Sequence, residues 1–307
     1  MPVWGFLLSL ATAVCWAVSP ILMKVGMRRA GPNEVNPIRS FGFLLTMIVV
    51  MLVTGGVMPQ VRIAALLGLI LNVGTSTVLG DQLYIYSINK IGASLAVSVS
   101  NVYPLITTFV SLLVLNETIT PLIWVGTVLL ILGIIVITHS PGGKHKGVEM
   151  SRKDKYAVRT VLTGFALALG AALCYGVNTP FVKVLMIQGG WNPIQLYFLR
   201  SLVYIVLVWS LRGFENLRIP HILMPFHKMR PKTFWAFFAA GCVGLALGGI
   251  FFGVCIEVLP VSVVTPITSS SPFVTVLISR FFYREKLTKL QNIGVGLVIL
   301  GSISVSL

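Results

Sequence analysis

The chain is short of acid. Its 307 residues include 8 Asp and Glu against 23 Lys and Arg, and charge of either sign makes up only 10%. A soluble protein covers its surface with charge, so this composition excludes the ordinary soluble class. Cysteines number four, Cys15, Cys174, Cys242 and Cys255, all within apolar segments and none in a C-x-x-C pair. That excludes a disulfide framework and a cysteine metal site. The four histidines, His139, His145, His221 and His227, lie in or beside polar loops without HExxH spacing. No metal and no other cofactor is expected, and no Walker-type phosphate loop occurs. The N-terminus lacks a basic n-region, and 3–27 is long for a signal core, so it is read as a retained first span.

What the chain has in excess is oil: 56% of residues are hydrophobic, a surplus that only lipid can cover. Ten segments reach the roughly 20 residues that cross the hydrocarbon. They are spans 1 to 10, at 3–27, 36–57, 62–87, 93–115, 120–138, 161–186, 193–212, 232–258, 261–280 and 287–306. The net charge of +15 does not indicate nucleic acid, because the basic residues gather in loops between spans. They follow spans 1, 3, 5, 7 and 9, whereas the loops after spans 2, 4, 6 and 8 hold only Arg62. The positive-inside rule then places both termini outside.

The chain repeats itself. Residues 92–139 laid on 260–307 without a gap match Ser94 with Ser262, Pro104 with Pro272, Thr107 with Thr275, Glu117 with Glu285, Gly126 with Gly294 and Gly133 with Gly301. CWAVSPILMK at 15–24 matches CYGVNTPFVK at 174–183, and Arg39–Ser40 matches Arg200–Ser201. The expected organisation is a first five-helix repeat over 1–138, a basic cytoplasmic linker over 139–160 and a second repeat over 161–307. Five is odd, so the second repeat is inverted relative to the first. The expected fold is all-α integral membrane: ten transmembrane helices in two inverted-topology five-helix repeats.

Inverted repeats bind solutes at mid-depth, beside broken helices. Spans 1, 4, 6 and 9 carry Pro20, Pro104, Pro180, Pro266 and Pro272, and each proline frees a backbone carbonyl. Ser94, Ser98, Asn101 and Thr108 form one helical stripe; Ser262, Thr265 and Ser269 form another. Expected solute-binding residues are Trp16, Ser98, Asn101, Tyr103, Tyr175, Asn178, Thr265 and Ser269. Charges inside spans are costly and mark gating or coupling. They are Lys24, Arg39, Asp81, Lys183 and Arg200, and the counterpart of Asp81 is Gly249. Paired with Lys24 or Arg39, Asp81 stays ionised and acts in structure or gating; alone in an apolar cavity it carries a proton. Arg39 and Arg200 suit a substrate carboxylate or phosphate. Glu117 and Glu285 are placed to cap the first turns of spans 5 and 10. Gly126, Gly133, Gly294, Gly296 and Gly301 suit close packing, within the chain or between subunits of a homodimer.

SVSNVYPLITTFVSLLVLNETITPLIWVGTVLLILG in the first half and SSSPFVTVLISRFFYREKLTKLQNIGVGLVILG in the second carry a resemblance. A polar, proline-bearing fourth helix ending in Glu before a glycine-spaced fifth helix resembles the EamA-type drug/metabolite transporter superfamily. The resemblance implies a secondary carrier of a metabolite, amino acid, nucleoside or drug-like solute, working by alternating access as an exporter in a prokaryotic plasma (inner) membrane. The implied partners are that solute and membrane lipid, with no nucleic acid. Rival readings are a carrier or flippase of lipid-linked sugars or headgroups and a non-transporting scaffold. An intramembrane enzyme is disfavoured, since no histidine lies deep in a span.

Overall fold

The structure is a computed structural model. It describes residues 2–139, 155–218, 229–271, 273–274 and 288–306; within helices, the side chains at 92–95, 97–98, 137–139, 155–158, 214–218, 291 and 306 are outside the description. Pro272, Glu285 and most of the expected linker therefore lie outside the described residues, as do the side chains of Ser94 and Ser98.

Every regular element among the described residues is helical. In order these are α1 (Val3–Met27), α2 (Val35–Val53), α3 (Ile63–Asn72), α4 (Asp81–Ser100), α5 (Tyr103–Val114), α6 (Pro121–His139), α7 (Lys155–Gly189), α8 (Pro193–Arg218), α9 (Pro231–Ala240), α10 (Gly248–Val258), α11 (Val261–Thr268) and α12 (Lys289–Ser306). A 3₁₀ turn at Pro32–Glu34 leads into α2. Among the described residues six helices are long and apolar enough to cross a membrane: Val3–Met27, Pro32–Val53, Ile63–Ile91, Arg159–Gly189, Pro193–Gly213 and Pro231–Val258. Tyr103–Val114, Pro121–Val136 and Asn292–Val305 are shorter apolar helices. Their outer faces are greasy: Leu7, Leu52, Leu71, Leu132, Ile187 and Trp235 are exposed. Such a surface needs lipid, and the chain is an integral membrane protein.

Two π-helical segments interrupt the spans. Val73–Gly80 joins α3 to α4, and Gly241–Leu247 joins α9 to α10. The offset that lays 92–139 on 260–307 also lays Ile63 on Pro231 and Val73 on Gly241. Both halves thus carry the same insertion at the same place. The turn between α4 and α5 falls at Asn101–Val102, and the turn after α11 falls at the matching Ser269–Ser270.

Two sequence expectations change. The loop expected at 88–92 has helical backbone, α4 spanning Asp81–Ser100, and the chain reverses beyond Ile91: Ile91 lies against Gly164, whereas Tyr103 and Ile106 lie against Gly176 further along α7. No proline interrupts α4, and Ile88 and Ile91, one turn apart, are buried against Phe165. Spans 1 and 6 are not broken either: α1 continues through Pro20 and α7 through Pro180. The carbonyl that Pro180 strands, that of Gly176, accepts a hydrogen bond from the Thr107 hydroxyl at 3.2 Å, which satisfies it without unwinding.

Equivalent helices from the two halves meet antiparallel. A Cβ on Gly126 would stand 2.8 Å from the Gly301 carbonyl oxygen, and one on Gly133 would stand 2.7 Å from that of Gly294. Early residues of α6 therefore meet late residues of α12, and the reverse. In α2 and α8, Phe43 packs on Tyr204 at 6.2 Å between ring centroids, while Phe41 packs on Trp209 at 5.5 Å. The glycines expected to permit close packing do so within the chain; Gly296 faces open space instead. Gly126→Leu or Gly301→Leu is expected to lower stability by about 1–3 kcal/mol through overpacking. Gly296→Ala should stay within about 0.5 kcal/mol of the parent. Unfolding of the purified protein in detergent measures both.

Candidate functional site

The π-helical segment of the first half delivers Asp81 into the middle of the protein. Widening the helix disturbs its regular hydrogen bonds, and local hydroxyls take up carbonyls there: Thr75 donates to the Leu71 carbonyl at 2.7 Å and Ser76 to that of Asn72 at 2.5 Å. Asp81 follows directly. One of its carboxylate oxygens accepts from Arg39 Nη1 at 2.8 Å, the other from the Tyr175 hydroxyl at 2.6 Å. The side chains are 5% and 14% exposed for Arg39 and Asp81, so the pair is largely out of water. Arg39 Nη1 also donates to Asn36 at 3.1 Å; Asn36 donates to Gln82 at 3.1 Å, and Gln82 donates to Asn33 at 3.2 Å. Tyr86 donates to the same Asn33 oxygen at 2.5 Å, and Arg212 donates to the Asn33 carbonyl. Of the two partners expected for Asp81, the structure selects Arg39. Lys24 is exposed and contacts neither member of the pair.

Among the described residues the second half shows no such pair. Arg200, the counterpart of Arg39, is 8% exposed. It donates through Nη1 to Asn72 and through Nη2 to Thr77 at 3.0 Å, and its guanidinium lies 5.5 Å from the centre of the Tyr197 ring. Where the first half has Asp81 the second has Gly249, and a Cβ there would meet the Tyr197 ring at 2.3 Å. An aromatic ring thus fills the space of the missing acid. Asn72 also donates to the Asn178 carbonyl at 2.9 Å, and the Thr75 hydroxyl oxygen lies 2.9 Å from the Asn178 side-chain oxygen. Lys183 donates to the Leu259 carbonyl at 2.9 Å.

The helix breaks lie beside this network. Asn101 is buried at the first and Ser269 at the second, where its hydroxyl donates to the Pro266 carbonyl at 2.7 Å. Pro104 sits in the first turn of α5, and Pro266 lies inside α11. Tyr103 contacts Tyr175 edge-on at 6.2 Å, and its hydroxyl bonds Thr268, so the two breaks touch. Thr265 is fully buried, with no hydrogen-bond partner for its hydroxyl among the described residues. Trp16 donates to the Gly244 carbonyl at 3.2 Å, within the second π-helical segment. Its repeat counterpart Tyr175 reaches the end of the first such segment, beside Gly80.

Several members went unseen in the sequence. Asn33, Asn36, Asn72 and Gln82 are polar residues at helix ends or within spans, and only the fold shows that they meet. Glu117 is a correction: it caps α11, not the start of span 5. Its carboxylate accepts from the Val261 amide at 2.7 Å, the Ser262 amide at 3.0 Å and the Ser262 hydroxyl at 2.7 Å. Asn116, at φ +52°, turns the chain so that Glu117 points away from α6. Thr120 caps α6 instead, accepting from the Ile123 amide at 3.4 Å. The start of α11 needs the help, because Pro260 precedes it and offers no capping side chain.

Asp81→Asn removes one charge of a buried pair and is expected to cost about 3–5 kcal/mol. Tyr175→Phe removes one hydrogen bond to a carboxylate, about 1.5–3 kcal/mol. The double variant Arg39→Met with Asp81→Leu should recover most of the first loss. Chemical denaturation in detergent, read as a double-mutant cycle, checks all three.

Comparison with known proteins bears on this arrangement. The sequence model of the EamA-like transporter family matches residues 3–139 and 162–307. A Helicobacter pylori protein described as an uncharacterized transporter is 27% identical over 148 residues. That stretch is 48% of this chain and 46% of the relative, so the chain spans about half the length of this curated relative. An uncharacterized protein of Methanocaldococcus jannaschii is 29% identical over 145 residues, which cover 47% of this chain but 97% of that protein. A protein crystal structure aligns over 99% of this chain and 98% of its own, with a TM-score of 0.76 and 13% identity, a likeness of fold. With nearly its whole length matched by one family model, the chain belongs to the EamA-like transporter family.

Proposed function

We propose that the protein is a secondary carrier that moves a small metabolite, amino acid, nucleoside or drug-like solute across the membrane by alternating access, as an exporter. The observation that carries this reading is the antiparallel meeting of matched helices. An axis that turns α6 onto an antiparallel α12 runs across both helices, and for membrane-spanning helices that direction is the membrane plane. This supports an inverted-topology repeat of five helices, ten in all, with a solute site between the halves. The half-length match to a nearly complete archaeal protein favours the same unit. The matched breaks at Asn101 and Ser269, with Tyr103 and Thr268 between them, are the place for the solute. In this reading both termini face outward, the membrane is a prokaryotic plasma membrane, and the Arg39–Asp81 pair is a gating element.

Glu117 supplies the moving contact. It belongs to the first half and holds the start of α11 in the second, while Lys183 holds the carbonyl of the neighbouring Leu259. Rocking of one repeat against the other must open such a clamp on one side of the membrane.

A second reading has one observation in its favour. A crevice of about 130 Å³, lined by Phe6, Leu10, Phe273 and Val298, reaches Ser270 at the second break, and Ile299 and Ile303 on its rim are exposed. A sideways opening suits a lipid-linked solute.

A stability screen of the purified protein against amino acids, nucleosides, sugar phosphates, cationic drugs and lipids identifies a ligand, whose binding Asn101→Ala should weaken at least tenfold if the break is the site. That ligand then reports exchange in liposomes. Oxidation of a Glu117→Cys/Ser262→Cys pair is expected to stop exchange and reduction to restore it. Full cross-linking with undiminished exchange would remove the clamp from the transport cycle.

A further inference from the structure

Resting on the carrier reading, we propose that Arg200 is the recognition point for an oxyanion, a carboxylate or phosphate group on the transported solute. The argument begins with the imbalance between the halves. Arg39 and Arg200 are matched by the repeat and both are buried, but only Arg39 has a carboxylate against it. The charge of Asp81 reaches Arg200 only through space. The buried cluster of Arg39, Asp81 and Arg200 thus holds two positive charges and one negative.

The local geometry leaves Arg200 ready for a ligand. The guanidinium carbon lies over the Tyr197 ring, which also fills the space above Gly249, so the protein has no room for an acid of its own there. A guanidinium has five N–H groups. Asn72 and Thr77 take one each, and the other three have no acceptor among the described residues. A neutral amide at this position would join α8 to the first π-helical segment without burying a charge. A cation earns its place only if an anion arrives, and the planar fork matches a carboxylate or phosphate. Asn178, bonded to Asn72, is partly exposed and lies two residues before Pro180.

The test compares probes that differ only in the anionic group: L-phenylalanine with its amide, benzoate with benzamide, and glucose 6-phosphate with glucose. Affinity is read by calorimetry on the full-length protein in detergent. At least one anionic member should bind about tenfold or more tighter than its neutral twin. Arg200→Gln should abolish that preference and Arg200→Lys should keep part of it. The wild-type comparison stands by itself if the glutamine variant does not fold. Equal binding within every pair, no binding of any anionic probe, or a preference that persists in Arg200→Gln would each overturn the proposal. The carboxylate and phosphate arms distinguish the two sources. Liposome exchange separates the two readings: anion binding without flux retains the Arg200 site and removes the carrier, whereas flux of neutral solutes without anion preference does the reverse.

Discussion

Hydrocarbon offers no hydrogen bonds, so every polar group taken into it must find its partner inside the protein. The internal architecture of this chain follows from that demand. The proline in α7 is tolerated because Thr107 reaches the carbonyl it strands. The first π-helical segment is tolerated because Thr75 and Ser76 bond the backbone around it, and the second receives the Trp16 indole. The start of α11, preceded by a proline, is tolerated because a glutamate arrives from the other half. Thr75 and Ser76 act locally, but Thr107, Trp16 and Glu117 each reach from the first half to the second, so there satisfying the backbone and joining the two halves are the same event.

The repeat makes departures from symmetry informative. Matching positions place π-helical segments, helix breaks and close-packed glycines in both halves, but the charges do not match. One arginine is neutralised by Asp81 and Tyr175; the other lies against a tyrosine ring and two neutral oxygens. Packing imposes no such difference on two copies of one fold. It falls at the buried charges and not at the oily rim, where α6 and α12 meet through near-identical glycine contacts.

The elements that sequence reasoning missed share a physical cause. A π-helical insertion leaves no periodic signature, because one extra residue in a uniformly apolar span shifts a pattern already faint; Gly74, Thr75, Ser76 and Thr77 were the available hint. The helical backbone through 88–92 is hidden by Lys90 and Gly92, which resemble a loop until Phe165 is seen covering Ile88 and Ile91. In sequence Glu117 stands where a local cap belongs, yet a pair of amides across the half boundary binds it more fully than its own helix would.

By itself the sequence determined the solvent, the helical class and the repeat. Hydrophobic run length, the scarcity of charge and residue identities at a constant offset are one-dimensional quantities, and they survive without any knowledge of contacts. It also singled out Asp81, Arg39 and Arg200, since a charge inside a span is conspicuous wherever it ends up. Only the tertiary structure decided that Asp81 faces Arg39 rather than Lys24, that Tyr175 joins them, and that Arg200 is left with neutral partners. Those outcomes depend on the rotation of each helix about its axis and on which helices touch. A few kcal/mol of packing between distant segments sets both, and no local pattern records it.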